Sequence, residues 1–116
     1  MRIYIPATLD RLAAYVERGF VPGSNEYFIA DDDSEDAEYA AMTAAALDAA
    51  ELLDRSGRRV VLVADAVARG GDDGVVEVAM SDVLAVHVDL EDVDPSSDDL
   101  PELAWYATQE IPDLLA

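Results

Sequence analysis

The sequence predicts one α/β (or α+β) domain spanning residues 1–116, with a mixed sheet of about five strands and three helices in the order β-α-β-α-β-β-β-α. Three observations carry that prediction. A chain of 116 residues, 52% of them hydrophobic, has material for one core and no room for a second. Two β-prone apolar runs, residues 2–5 and 59–64, have the composition of buried strands. Between them lies an alanine-rich stretch of helical period.

Each element has its own signal. Arg2-Ile-Tyr-Ile5 is the first strand, and Pro6, which lacks an N–H, fits its end. Thr8 caps a helix whose apolar positions are Leu9, Leu12, Ala13 and Val16, with Gly19 as its stop. Pro22, Gly23, Ser24 and Asn25 form a turn before a short strand over residues 26–30. The carboxylates Asp31, Asp32, Asp33, Glu35, Asp36 and Glu38 suit the positive end of a second helix. Its stripe is Tyr39, Met42, Ala46, Ala49, Ala50 and Leu53, widened by Ala40, Ala44 and Leu47, so burial over much of its circumference is expected, with Gly57 at its end.

Residues 59–64 read as a strand covered on both faces, closed by Asp65. After a glycine-rich loop over residues 69–74, residues 75–79 and 83–89 are expected to form a hairpin turned at Ser81 and Asp82. Pro101 is expected to open a last helix through Leu103, Ala104, Ala107 and Ile111, which Pro112 stops or kinks. Strand–helix–strand alternation in the first half favours parallel pairing, and the hairpin adds an antiparallel pair.

Composition limits function. Asp and Glu outnumber Arg 26 to 7, Lys is absent, and the net charge is −19, which argues against nucleic acid and anionic membranes as partners and leaves a basic protein partner open. The same composition is also explained by solubility or a high-GC genome, and only a grouping of the acid on one face would separate the two readings. The absence of cysteine removes disulfides and thiolate chemistry, and no cofactor is implied. No signal-peptide pattern or bilayer-length apolar run is visible, so the cytosol is the expected location.

Candidate chemistry is sparse. His87, the one histidine, and Asp89 lie two apart on one strand and therefore share a face. With Asp65 at the end of another strand, they are the catalytic candidates for metal-assisted hydrolysis or elimination. The acidic loop 89–99 fails the EF-hand register: with Asp92 as first ligand, Ser97 stands where glycine is needed and Leu103 where the bidentate glutamate belongs. A start at Asp31 fails likewise, at Met42. Gly70, Gly71 and Gly74 make no phosphate-binding pattern, and no serine occupies a nucleophile elbow. On the expected last helix, Trp105 with Gln109 and Tyr106 with Glu110 form two polar faces, the binding candidates. Leu114 and Leu115, beyond Pro112, suggest a homodimer contact unless they fold back.

Three stretches, Arg2-Ile-Tyr-Ile-Pro-Ala-Thr-Leu9, Arg59-Val-Val-Leu-Val-Ala-Asp65 with Ala85-Val-His-Val-Asp89, and Trp105-Tyr-Ala-Thr-Gln-Glu-Ile-Pro-Asp-Leu-Leu115, together resemble a family of short uncharacterised actinobacterial proteins, a domain of unknown function. The resemblance extends over nearly the whole chain. It implies a high-GC cytosolic source and no assigned activity. Two functional expectations stand side by side: a non-enzymatic acidic interaction or ligand-binding module, and a small metal-assisted hydrolase or lyase built on His87, Asp89 and Asp65.

Overall fold

The computed structural model describes residues 2–22, 26–65 and 77–116. The turn at Gly23, Ser24 and Asn25, the loop over 69–74 and the first residues of the expected strand 75–79 lie outside them. The described chain runs β1 (Arg2–Thr8), α1 (Leu9–Arg18), β2 (Phe20–Val21), β3 (Phe28–Ile29), α2 (Glu35–Glu51), β4 (Arg59–Asp65), β5 (Val78–Ala79), β6 (Val83–Val88), β7 (Ala104–Ala107) and α3 (Ile111–Leu115), with 3-10 turns before β6 and α3. The main sheet has five strands in the order β3-β1-β4-β6-β7, and β2 pairs with β5 in a separate ribbon. This is an α+β domain with three helices and the expected element order, to which β2 and β7 are added.

Every ladder is antiparallel. The parallel pairing expected of the first half is not made, and the reason is topological. β3 and β4 both run opposite to β1, so they share a direction across the α2 crossover, but β1 lies between them and takes their hydrogen bonds. The expected hairpin is also absent: β5 leaves the main sheet for β2, while β6 joins β4.

Period-two alternation divides the core between two faces of the sheet. Ile3, Ile5 and Ala7 of β1, Val60, Leu62 and Ala64 of β4, and Val86 and Val88 of β6 point to the first face. There they meet Leu12 and Tyr15 of α1, Val21 and Val78 of the ribbon, and Ile111 of α3. Leu114 and Leu115 fold back onto this cluster, so the dimer contact inferred from their exposure loses its basis. On the second face Tyr4, Val61 and Val63 pack under Ala41 and Ala45 of α2. Small side chains let α2 lie close to β1 and β4.

Several local signals act as expected. The Thr8 Oγ1 accepts from the Arg11 N–H at 3.3 Å, and Gly19, at φ 85°, closes α1 with its N–H on the Tyr15 carbonyl. Glu35, Asp36 and Glu38 fill the first turn of α2, and its cap, not singled out in the sequence, is Ser34, whose Oγ accepts from the Ala37 N–H at 3.1 Å. Others are overruled. β1 continues through Pro6 to Thr8; β3 pairs with it only at Ile3 and Tyr4, so beyond Tyr4 one side of β1 has no ladder among the described residues, and a missing N–H costs little. α2 ends at Glu51, six residues before Gly57, which instead bridges Val93.

The larger correction is at the C-terminal segment. Pro101 opens no helix, and residues 104–107 form edge strand β7, consistent with the β preference of adjacent Trp and Tyr. Pro112 lies in the first turn of α3, where its missing N–H has no partner to lose.

Candidate functional site

Only part of the second face is covered. α2 packs over β1, β3 and β4, whereas among the described residues no helix packs on the same face of β6 and β7 to a comparable extent. Register places His87 of β6 between Val61 and Trp105, so all three project to this face. The result is a groove with α2 as one wall and Trp105 at the other. Trp105 is 60% exposed and Tyr39, on α2, is 63% exposed. Tyr39, Met42 and His87 line two adjoining clefts of about 490 Å³ and 530 Å³. The first extends to Trp105, Ala85, Arg2 and Glu38, whose Nη1–Oε1 ion pair of 2.7 Å closes that end. The second extends to Arg59 and the segment between β6 and β7.

His87 is half-buried, and burial lowers its pKa below 6.5 with no opposing carboxylate. The neutral imidazole therefore predominates near pH 7, offering one donor and one acceptor. It makes no hydrogen bond with any described residue, and no buried side-chain nitrogen is left without a partner, so its ring nitrogens open into the groove.

The proposed catalytic cluster is not assembled. Asp89 is buried and held by Arg59: its Oδ2 accepts from the Arg59 backbone N–H at 2.8 Å and from Nε at 2.9 Å, and its Oδ1 accepts from Nη2 at 2.8 Å. Asp65 lies at the other end of β4. His87 is opposite Val61, four residues away along the strand, or roughly 13 Å. The expectation that strand carboxyl ends would gather these groups required parallel neighbours; in antiparallel strands those ends lie at opposite ends of the ladder. Among the described residues no group of three or more histidine, aspartate or glutamate side chains is placed to hold a metal ion.

The binding candidates separate for a related reason. On a strand, Trp105 and Tyr106 point to opposite faces: Trp105 borders the groove, and Tyr106 packs on the first-face core. Gln109 is exposed in the following turn, and the Glu110 Oε1 accepts from the Ala107 N–H at 3.0 Å. Only Trp105 of the four belongs to the groove.

Sequence reasoning missed Tyr39, Met42 and Arg59 as groove residues. An alanine-rich helix has little contrast between its faces, so its pattern did not show that Tyr39 and Leu47 are exposed while Ala41, Ala45 and Ala49 form the buried stripe. Arg59 had a visible signal: an arginine heading an apolar strand, with an aspartate closing another, is the pattern of a buried ion pair.

The acidic segment between β6 and β7 is held by its own side chains and by Gly57 and Arg59. Val93 and Gly57 exchange backbone bonds of 2.8 and 3.1 Å. The Asp94 Oδ1 accepts from the Ser96 N–H and hydroxyl, which lowers the Asp94 pKa, and the Ser97 Oγ accepts from the Asp99 N–H. Pro101 is fixed by its carbonyl, which accepts from Arg59 Nη2 at 2.6 Å. These bonds shape the far wall of the second cleft.

The chain belongs to the DUF6912 family of unknown function. The family match covers residues 1–115, so both faces of the sheet and the groove lie within the DUF6912 domain. No curated protein and no solved structure matches the chain. No helix among the described residues is long and apolar enough to cross a membrane.

Proposed function

We propose that this DUF6912 domain is a non-enzymatic ligand-binding module whose site is the groove between α2 and β6–β7. The supporting observation is the exposure of Trp105 and Tyr39 on its two sides, with His87, which bonds to none of the described residues, between them. Amphipathic aromatics bordering a concave apolar surface with a few polar groups are the usual make-up of a small-molecule site. The acidic charge gives less support to a basic protein partner. Exposed carboxylates occur on α1 (Asp10, Glu17), on α2 (Glu35, Asp36) and on α3 (Asp113), which belong to opposite sides of the sheet, so the acid is not grouped on one face.

Trp105 is the only tryptophan, so its fluorescence reports on the groove directly. The test is a titration with single-ring aromatic fragments of each charge type. Fragments that raise Tm should change Trp105 emission and lose affinity in Tyr39→Ala. Stabilising fragments indifferent to both Trp105 and Tyr39 would place binding elsewhere and end this reading.

A further inference from the structure

We infer that the cleft beside Arg59 takes a small uncharged organic ligand by its carbonyl oxygen, which accepts from the Arg59 Nη1 amino group while an apolar body lies along Met42 and Leu103. The inference rests on the groove being a ligand site and adds the chemical class of the ligand.

A guanidinium has five N–H donors. In Arg59, Nε and Nη2 are engaged by Asp89 and by the Pro101 carbonyl. Nη1 has no bond to any described residue, although Arg59 is only 4% exposed. Since no buried side-chain nitrogen is without a partner, Nη1 is open to the cleft that Arg59 lines. A buried residue held rigidly by three charge-assisted bonds thus presents one fixed pair of donors to an apolar cleft of about 530 Å³, a size usual for small-molecule sites.

Charge and hydrogen bonding select the ligand. The bidentate Asp89 carboxylate compensates the guanidinium charge, leaving donors without a net positive field. Asp98 and Glu102 border the cleft in a chain of net charge −19, so an anion is disfavoured. A cation brings no acceptor and meets a group that can only donate. A pure hydrocarbon would bury Nη1 with its donors unused. A neutral carbonyl with an apolar body satisfies each condition, and His87 at the junction of the clefts adds a donor and an acceptor for a second polar atom.

The test uses three probes of one shape: benzamide, benzoate and benzylammonium. Each is titrated into isotope-labelled protein while the Arg59 Nε–Hε, Met42 methyl and Trp105 indole signals are followed. The expected result is saturable movement of Arg59 and Met42 by benzamide, with the two charged probes at least tenfold weaker. Thr43→Trp, an exposed substitution at the cleft mouth, should abolish it without unfolding the protein. Preference for a charged probe, or benzamide moving Trp105 but not Arg59, overturns the carbonyl assignment and leaves the groove reading intact. No response at any of the three signals to any probe overturns both.

Discussion

Asp89 and Arg59 join the end of β6 to the start of β4 through three hydrogen bonds of 2.8 to 2.9 Å from arginine to carboxylate, with both residues withdrawn from solvent. The Asp89 N–H returns a bond to the Arg59 carbonyl at 3.2 Å. The contact sets the edge from which the β6–β7 segment departs, and it supplies the rigid donor of the second cleft.

Removing one partner leaves the other buried and uncompensated. Asp89→Leu and Arg59→Met should each lower stability by about 3–5 kcal/mol. The double variant should lose clearly less than the sum, because the desolvation cost of both charges disappears together. Urea unfolding of the four proteins checks this, and additive losses would count against a directly coupled pair.

His87 gives a signed pH dependence. Burial favours its neutral form in the folded protein, so the folded pKa lies below that of the unfolded chain, near 6.5. The corresponding stability is fully present above pH 6.5 and is lost as pH falls through the lower folded pKa. NMR titration of the His87 ring should give a midpoint below 6.5. The acid-side fall in unfolding free energy should become shallower in His87→Gln, and an unchanged pH profile would contradict this assignment.

β7 separates its two aromatics by face. Trp105→Ala should change stability by no more than about 0.5 kcal/mol, as expected for an exposed side chain. Tyr106→Ala, which removes a ring packed on the first-face core, should cost about 2 kcal/mol. Red-shifted, readily quenched Trp105 emission is expected as well. Had the segment been the expected helix, this strict alternation between neighbours would not arise.

Gly19 holds φ 85° with open space where a Cβ would be. Gly19→Ala should therefore lower stability by about 1 kcal/mol, all of it from the backbone. At Gly57 an added Cβ would meet the flexible end of Leu53 at 3.0 Å, so that residue must give way. Thermal unfolding of the two variants separates a conformational cost from a steric one.

Local chemistry made the capped helix starts, the Gly19 stop, the two buried strands and the order of the elements legible in the sequence, because each depends on residues within a few positions of one another. The candidate site was legible only in fragments. His87 and Trp105 were singled out, but as members of clusters that do not form. His87 was grouped with carboxylates on the premise of parallel strands, and Trp105 with Gln109 and Glu110 on the premise of helical spacing.

Tertiary structure decided the rest. Insertion of β1 between β3 and β4 kept those two strands from pairing with each other, and the antiparallel β4–β6 ladder sent Asp65 and Asp89 to opposite ends of the strands. Pairing with β6 fixed residues 104–107 as a strand, turning Trp105 outward and Tyr106 inward. The seating of α2 over β1, β3 and β4 left His87 half-buried at the groove floor. None of these outcomes is decided by a local signal, since each depends on which distant strand takes an edge and how much of a sheet one helix can cover. Composition and short-range pattern determined the first two helices and the buried strands β1 and β4; long-range pairing and coverage determined the fate of residues 104–107 and where the groove would open.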